Sequence, residues 1–148
     1  KVRGRLSMLN YYYWLNCRQI SEWTWPAFCR YRDFSSAQSL RIGGDQRVRI
    51  DNAGWHFGYL MSPERIREKL NSFSHAEYDR PPFTDTGHIR KCIAEGIDLF
   101  GRKIDYEFTD LSELPDCVRN NPEKYKEYIY DYDACTSGHT VLQEPQTA

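Results

Sequence analysis

The chain has 148 residues (17.6 kDa), with 40% hydrophobic and 28% charged side chains and a formal net charge of −1, a balance that excludes disorder over most of its length and suffices for one domain. No apolar run approaches the roughly 20 residues of a membrane span, and no signal-peptide pattern opens the sequence, so a soluble chain is expected. The excess lies in aromatic residues, 15% at a mean hydropathy of −0.76, and in uneven charge: residues 1–50 carry nine Lys and Arg against three Asp and Glu, and residues 51–148 carry eleven against eighteen.

The first half reads as strands. Residues 6–15 are β-prone and Tyr-rich, residues 22–31 carry Trp23, Trp25 and Phe28, and residues 39–42 and 47–50 flank a turn around Gly43-Gly44-Asp45. Alternation along Arg47-Val48-Arg49-Ile50 predicts a half-buried strand. A further strand over residues 55–60 is interrupted by glycine, where a ligand or backbone can approach closely. The arginines of this half are scattered singly. They read as outward strand positions rather than as the dense patch that nucleic acid requires, so no nucleic-acid partner is expected.

The second half reads as helical. Ser62-Pro63-Glu64 supplies a capping hydroxyl, a first-turn proline and an acid at the positive dipole end, and Ile66, Leu70 and Phe73 then line one face. A second helix starts near Asp85-Thr86, turns Ile89, Cys92 and Ile93 inward and stops at Gly96. A third opens at Asn121-Pro122 with Tyr125, Tyr128, Ile129 and Tyr132 along its stripe. Residues 136–148 are polar and aperiodic and are expected to be a disordered tail, which leaves residues 1–135 as the folded unit. Strands followed by helices indicate an α/β or α+β fold, with a mixed sheet in the first half and helices packed on it in the second.

Five cysteines show no zinc-ligand spacing. Cys17 and Cys29, on neighbouring predicted strands, admit either a disulfide or two buried thiols, which leaves the compartment open. Around Trp55 and His56 an indole and an imidazole adjoin permissive glycines, and alternation sends Trp55 and Phe57 to one face and His56 to the other. That pairing suits a ring stacked on a sugar or base with His56 as a metal or phosphate contact, though a lone His beside Trp is more commonly structural. His75-Ala76-Glu77 spells His-x-Glu without the Pro-Cys-x-x-Cys that completes a zinc deaminase site. Glu77 is a candidate general base if partial burial raises its pKa, and an exposed helix-terminal Glu is the plain alternative. Asp131-Tyr132-Asp133 reads as solvated surface.

Several stretches together, residues 5–16 (RLSMLNYYYWLN), 52–59 (NAGWHFGY), Ser62-Pro63-Glu64-Arg65-Ile66 with Lys69-Leu70, residues 72–78 (SFSHAEY), Ile89-Arg90 and residues 96–100 (GIDLF), resemble glycosyltransferase family 17 over residues 5–130. These are the β-1,4-mannosyl-glycoprotein 4-β-N-acetylglucosaminyltransferases. The resemblance implies a GT-A type fold transferring N-acetylglucosamine from UDP-N-acetylglucosamine to a mannose-containing glycan with inversion, helped by a divalent cation, typically Mn2+. It also implies that the Asp-x-Asp metal motif and the nucleotide-binding βαβ half lie N-terminal to the Tyr-rich strand, so that this sequence is the acceptor-side part and inactive alone. On that basis Trp55 is expected to stack on sugar, His56 to contact diphosphate or metal, Glu77 to act as base with His75 as its partner, and Lys69 to face the diphosphate. Trp23, Trp25 and the rings of residues 11–14 are further candidates for holding a sugar. The alternative is a non-catalytic carbohydrate-binding or interaction module. Eukaryotic members work in the Golgi lumen behind an N-terminal membrane anchor, whereas a bacterial member would be cytoplasmic.

Overall fold

The structure is a computed structural model that describes residues 2–42, 48–72 and 75–131. In chain order its elements are β1 (Arg3–Leu6), β2 (Leu9–Tyr12), β3 (Cys17–Gln19), β4 (Ala27–Cys29), α1 (Ala37–Ile42), β5 (Val48–Ile50), β6 (Trp55–Gly58), α2 (Pro63–Asn71), α3 (Thr86–Glu95), β7 (Tyr106–Phe108), α4 (Asp116–Arg119) and α5 (Pro122–Tyr125), joined in places by single 3₁₀ turns. The fold is mixed, of the α+β class.

The strands form two mixed sheets, ordered β4-β1-β5 and β6-β2-β3-β7. One parallel ribbon runs through both: β1 pairs with β5 and, further along the same two segments, β2 pairs with β6. The ribbon is uneven at the junction, where Ser7 and Met8 on one segment oppose Asp51, Asn52, Ala53 and Gly54 on the other. Hydrogen bonds from Ser7 N to Ile50 O, Ala53 N to Ser7 O and Leu9 N to Gly54 O stitch this bulge, and Asn52 (φ 52°) and Gly54 (φ 127°) absorb it with left-handed backbone.

The second sheet is packed on both sides. Leu9, Tyr11 and Phe57 face a cluster with Leu15, Leu114 and Val118, while Tyr12 and the chain beyond it face the larger cluster of Tyr13, Tyr59, Ile66, Leu70, Ile89, Cys92, Ile93 and Leu99. Burying a Leu or Ile side chain completely stabilises by about 1.5–3 kcal/mol, so these two clusters supply most of the apolar driving force. The first sheet contrasts with this: Gly4 is its one buried strand residue, and α1 buries none.

Several expectations hold. Ser62 Oγ accepts from Arg65 N at the start of α2, with Pro63 in the first turn and Ile66 and Leu70 buried. Asp85 caps α3, whose inward residues are Ile89, Cys92 and Ile93, and Gly96 ends it at φ 63°. Others require correction. Residues 6–15 split into β1 and β2, which belong to different sheets, and the strand expected over 22–31 narrows to β4 plus a bridge from Trp23 to Met8. Residues 39–42 are helical in α1, because Ser36 accepts from the amide of Ser39 through its hydroxyl and from that of Leu40 through its carbonyl, an N-cap. β5 is exposed at Val48, Arg49 and Ile50 rather than half-buried, since no layer covers it among the described residues.

The third predicted helix is broken into α5 and a 3₁₀ turn at Lys126–Tyr128. Its backbone is diverted to tertiary partners: Tyr128 O accepts from Leu15 N, and the Asn16 side chain binds both Tyr130 N and Tyr130 O. Cys17 and Cys29 are free thiols in different sheets, and burial pushes the Cys17 thiol up to about 12. Among the described residues no helix is long and apolar enough to cross a membrane. The Gly43-Gly44-Asp45 turn, Arg47, Phe73, Tyr132, Asp133 and the tail over 136–148 lie outside the described residues.

Candidate functional site

His56 leaves β6 on the face of the sheet that carries Asn10 and Tyr12, while Trp55 and Phe57 leave on the other, as alternation requires. Asn10 is directly opposite His56 in the parallel register, and its Oδ1 lies 2.7 Å from His56 Nδ1. The chain of contacts continues. Asn10 Nδ2 donates to Gln19 Oε1 at 2.8 Å, and Gln19 Nε2 donates to the Ser21 hydroxyl at 2.7 Å and to the Ser21 carbonyl at 3.3 Å. The Trp23 indole stacks on the imidazole with centroids 4.3 Å apart and planes 24° from parallel. Burial, with the positive charge of Lys69 adding to it, pushes the His56 pKa below its ordinary value and favours the neutral ring.

Lys69 reaches this side from α2, its Nζ 4.5 Å above the Tyr59 ring. Tyr59 ends β6 with φ 58° and Tyr13 ends β2 with φ 64°, so both strands of the parallel pair stop in a left-handed residue. Beyond them Tyr12, Tyr59, Tyr106 and Phe100 contact one another with centroids 5.4 to 6.0 Å apart. Desolvation pushes the Tyr59 hydroxyl up to about 12, so it stays protonated. Next to these rings the carboxylate of Asp98 accepts from the amides of Phe100 and Arg102, the Arg102 guanidinium and the Tyr106 hydroxyl. Burial works to raise the Asp98 pKa, but the hydrogen bonds and charge of Arg102, with the Tyr106 hydroxyl, outweigh it and hold the carboxyl below its usual value.

The other expected residues sit elsewhere. Trp55 is on the opposite face, where its Nε1 donates to Glu113 O at 2.8 Å, so it cannot share with His56 a ligand lying on one side of the sheet. His75 Nδ1 and Glu77 Oε1 pair at 2.8 Å on an exposed turn. Hydrogen bonding from the Glu77 backbone amide and from His75 lowers the Glu77 pKa, and the carboxylate is solvated, so the partial burial that a base role requires is missing. No hydrogen bond, ion pair or ring contact among the described residues links this pair to His56. A concavity of about 400 Å³ near Asn16, Thr109 and Tyr130 is lined by none of these candidates.

The residues that complete the His56 site are Asn10, Gln19 and Trp23. Trp23 was legible as a ring, whereas Asn10 announced itself only as an amide within the β-prone run Met8-Leu9-Asn10-Tyr11, where Asn is disfavoured. As a cation site the set fits poorly: His56 has amide neighbours, and no three His, Cys, Asp or Glu side chains converge among the described residues. These residues do not by themselves form the Mn2+ centre that the resemblance implies. No family model, curated protein or solved structure matches the chain.

Proposed function

We propose that this chain is the acceptor-side part of a GT-A type, inverting N-acetylglucosaminyltransferase that uses UDP-N-acetylglucosamine and a mannose-containing glycan. The observation that carries the reading is the face around His56, where the neutral amides of Asn10 and Gln19, a neutral imidazole and the Trp23 ring adjoin one another. Sugars present hydroxyls at their rim and C–H groups on their faces, so amides and rings are the groups that bind them, and a polyanion would call for a denser positive field. The uncovered first sheet supports the second part of the reading, because Trp25, Ile42, Val48 and Ile50 remain exposed there and a nucleotide-binding half would cover them. The cation belongs in this reading to the Asp-x-Asp of that half, outside this sequence.

The test is transfer by a protein carrying both halves, incubated with UDP-N-acetylglucosamine, Mn2+ and a mannose-containing glycan, read as the mass gain of the acceptor. The 148 residues alone should show no heat of binding with the nucleotide sugar. A chain that binds the glycan but never modifies it supports a carbohydrate-binding module instead.

A further inference from the structure

The hydrogen-bond chain beside His56 has a fixed direction. It ends on the Ser21 carbonyl, which only accepts, so the group of Gln19 facing it is the NH₂ and the group facing Asn10 is the carbonyl oxygen. Asn10 therefore presents its NH₂ to Gln19 and its own carbonyl oxygen to His56. An oxygen without a hydrogen demands a donor, which makes His56 Nδ1 the protonated nitrogen. Nε2 is left with its lone pair, with no partner among the described residues and not fully buried. Trp23 holds the ring in its plane, and Asn10, 3% exposed, has little freedom to turn.

We infer that His56 Nε2 takes the proton of the acceptor sugar hydroxyl during transfer, with Asn10 and Gln19 as positioning residues that fix its tautomer. The inference rests on the transferase reading and names the base within it. As the hydroxyl oxygen bonds to the anomeric carbon of the donor, its proton passes to Nε2, and the bond from that carbon to the diphosphate oxygen breaks, the electron pair leaving with UDP. The imidazolium then returns the proton to water. Asn10 stabilises the imidazolium only as a neutral acceptor, which keeps the ring a weak base whose Nε2 is unprotonated near neutrality. Among the described residues the groups around His56 are Asn10 from β2, itself held by Gln19 from β3, the Trp23 indole and, as the charged group it senses, Lys69 from α2.

Two measurements test this. Long-range ¹H–¹⁵N spectra of the 148-residue chain at pH 8 should show His56 as the Nδ1–H tautomer, and Asn10→Ala should move it towards Nε2–H. An Nε2–H ring in the wild type overturns the proposal. In the two-half enzyme, His56→Gln should lower kcat about 100-fold or more, with KM for UDP-N-acetylglucosamine unchanged. Asn10→Ala, which retains the imidazole if His56→Gln fails to fold, should lower kcat about tenfold and shift the acid limb of the pH profile. Turnover kept in His56→Gln and lost in Glu77→Gln assigns the proton to Glu77 and overturns the proposal while the transferase reading stands. A wild type that binds glycan but transfers nothing overturns both.

Discussion

The two sheets share one parallel ribbon, yet they differ in how they are held. Around β6-β2-β3-β7, apolar side chains are buried on both faces, eight residues in one cluster and four in the other. Around β4-β1-β5 the polar contacts do the holding: Arg5 donates to Trp25 O at 2.6 Å and to Arg41 O at 2.7 Å, and Arg49 pairs with Glu22 and Asp51. Exposed ion pairs contribute at most about 1 kcal/mol each. Backbone pairing thus gives the first sheet its shape but little of its stability, and Arg3, Arg5 and Arg49 lie on this weakly held part.

Truncated side chains separate the two sheets most directly. Leu70→Ala should cost about 3 kcal/mol, seen as a lower urea midpoint, because Leu70 is fully buried and leaves a cavity. Asp98→Ala should cost about 2 kcal/mol by stranding its donors. Because the folded Asp98 pKa is lowered, its contribution is present above the unfolded value of about 3.9 and is lost as pH falls through the folded value, so the gap between variant and wild type should begin to narrow below about pH 4 and close once the pH is below the folded value. A gap that does not narrow at all between pH 4 and pH 2 would mean that packing, not charge, sets the effect.

Gly4→Ala should act on one sheet only. Its Cβ would overlap the Phe28 ring and, less forgivingly, the Val48 carbonyl oxygen. Loss of about 1–2 kcal/mol of local stability would appear as faster amide exchange in β1, β4 and β5 with no change in β2 or β6. Equal acceleration in both sheets would show that they open as one unit. Smallest of all, Ile50→Ser should change the urea midpoint by no more than about 0.5 kcal/mol, since Ile50 is 46% exposed. A cost near that of Leu70→Ala would mean that this face is covered in solution.

What the sequence made legible was local. The caps at Ser62 and Asp85, the stop at Gly96 and the buried spacing of Ile66 with Leu70 each depend on residues within one or two helical turns. Alternation also placed His56 and Phe57 on opposite faces correctly. It failed at β5, because period two records which positions share a face and not whether anything covers that face. β3 and β7, three residues each, are too short to print a pattern and exist because they pair with each other across the sheet. At the site, a ring and an imidazole were readable, but the amide that orients His56 is 46 residues away and only the register brings it there.

That same spacing sets the entropic cost of each strand pairing. Pairing β6 to β2 closes a loop of 46 residues, whereas β2 and β3 meet at Tyr11 and Arg18 after a short turn. Chain entropy makes near neighbours find one another first. Loop closure is therefore least costly for β2 with β3, whereas β1 with β5 and β2 with β6 close loops of nearly equal length and cost alike. The contact between Asn10 and His56 exists only where β6 is paired with β2, so the orientation of the imidazole depends on the long closure and not on the short one.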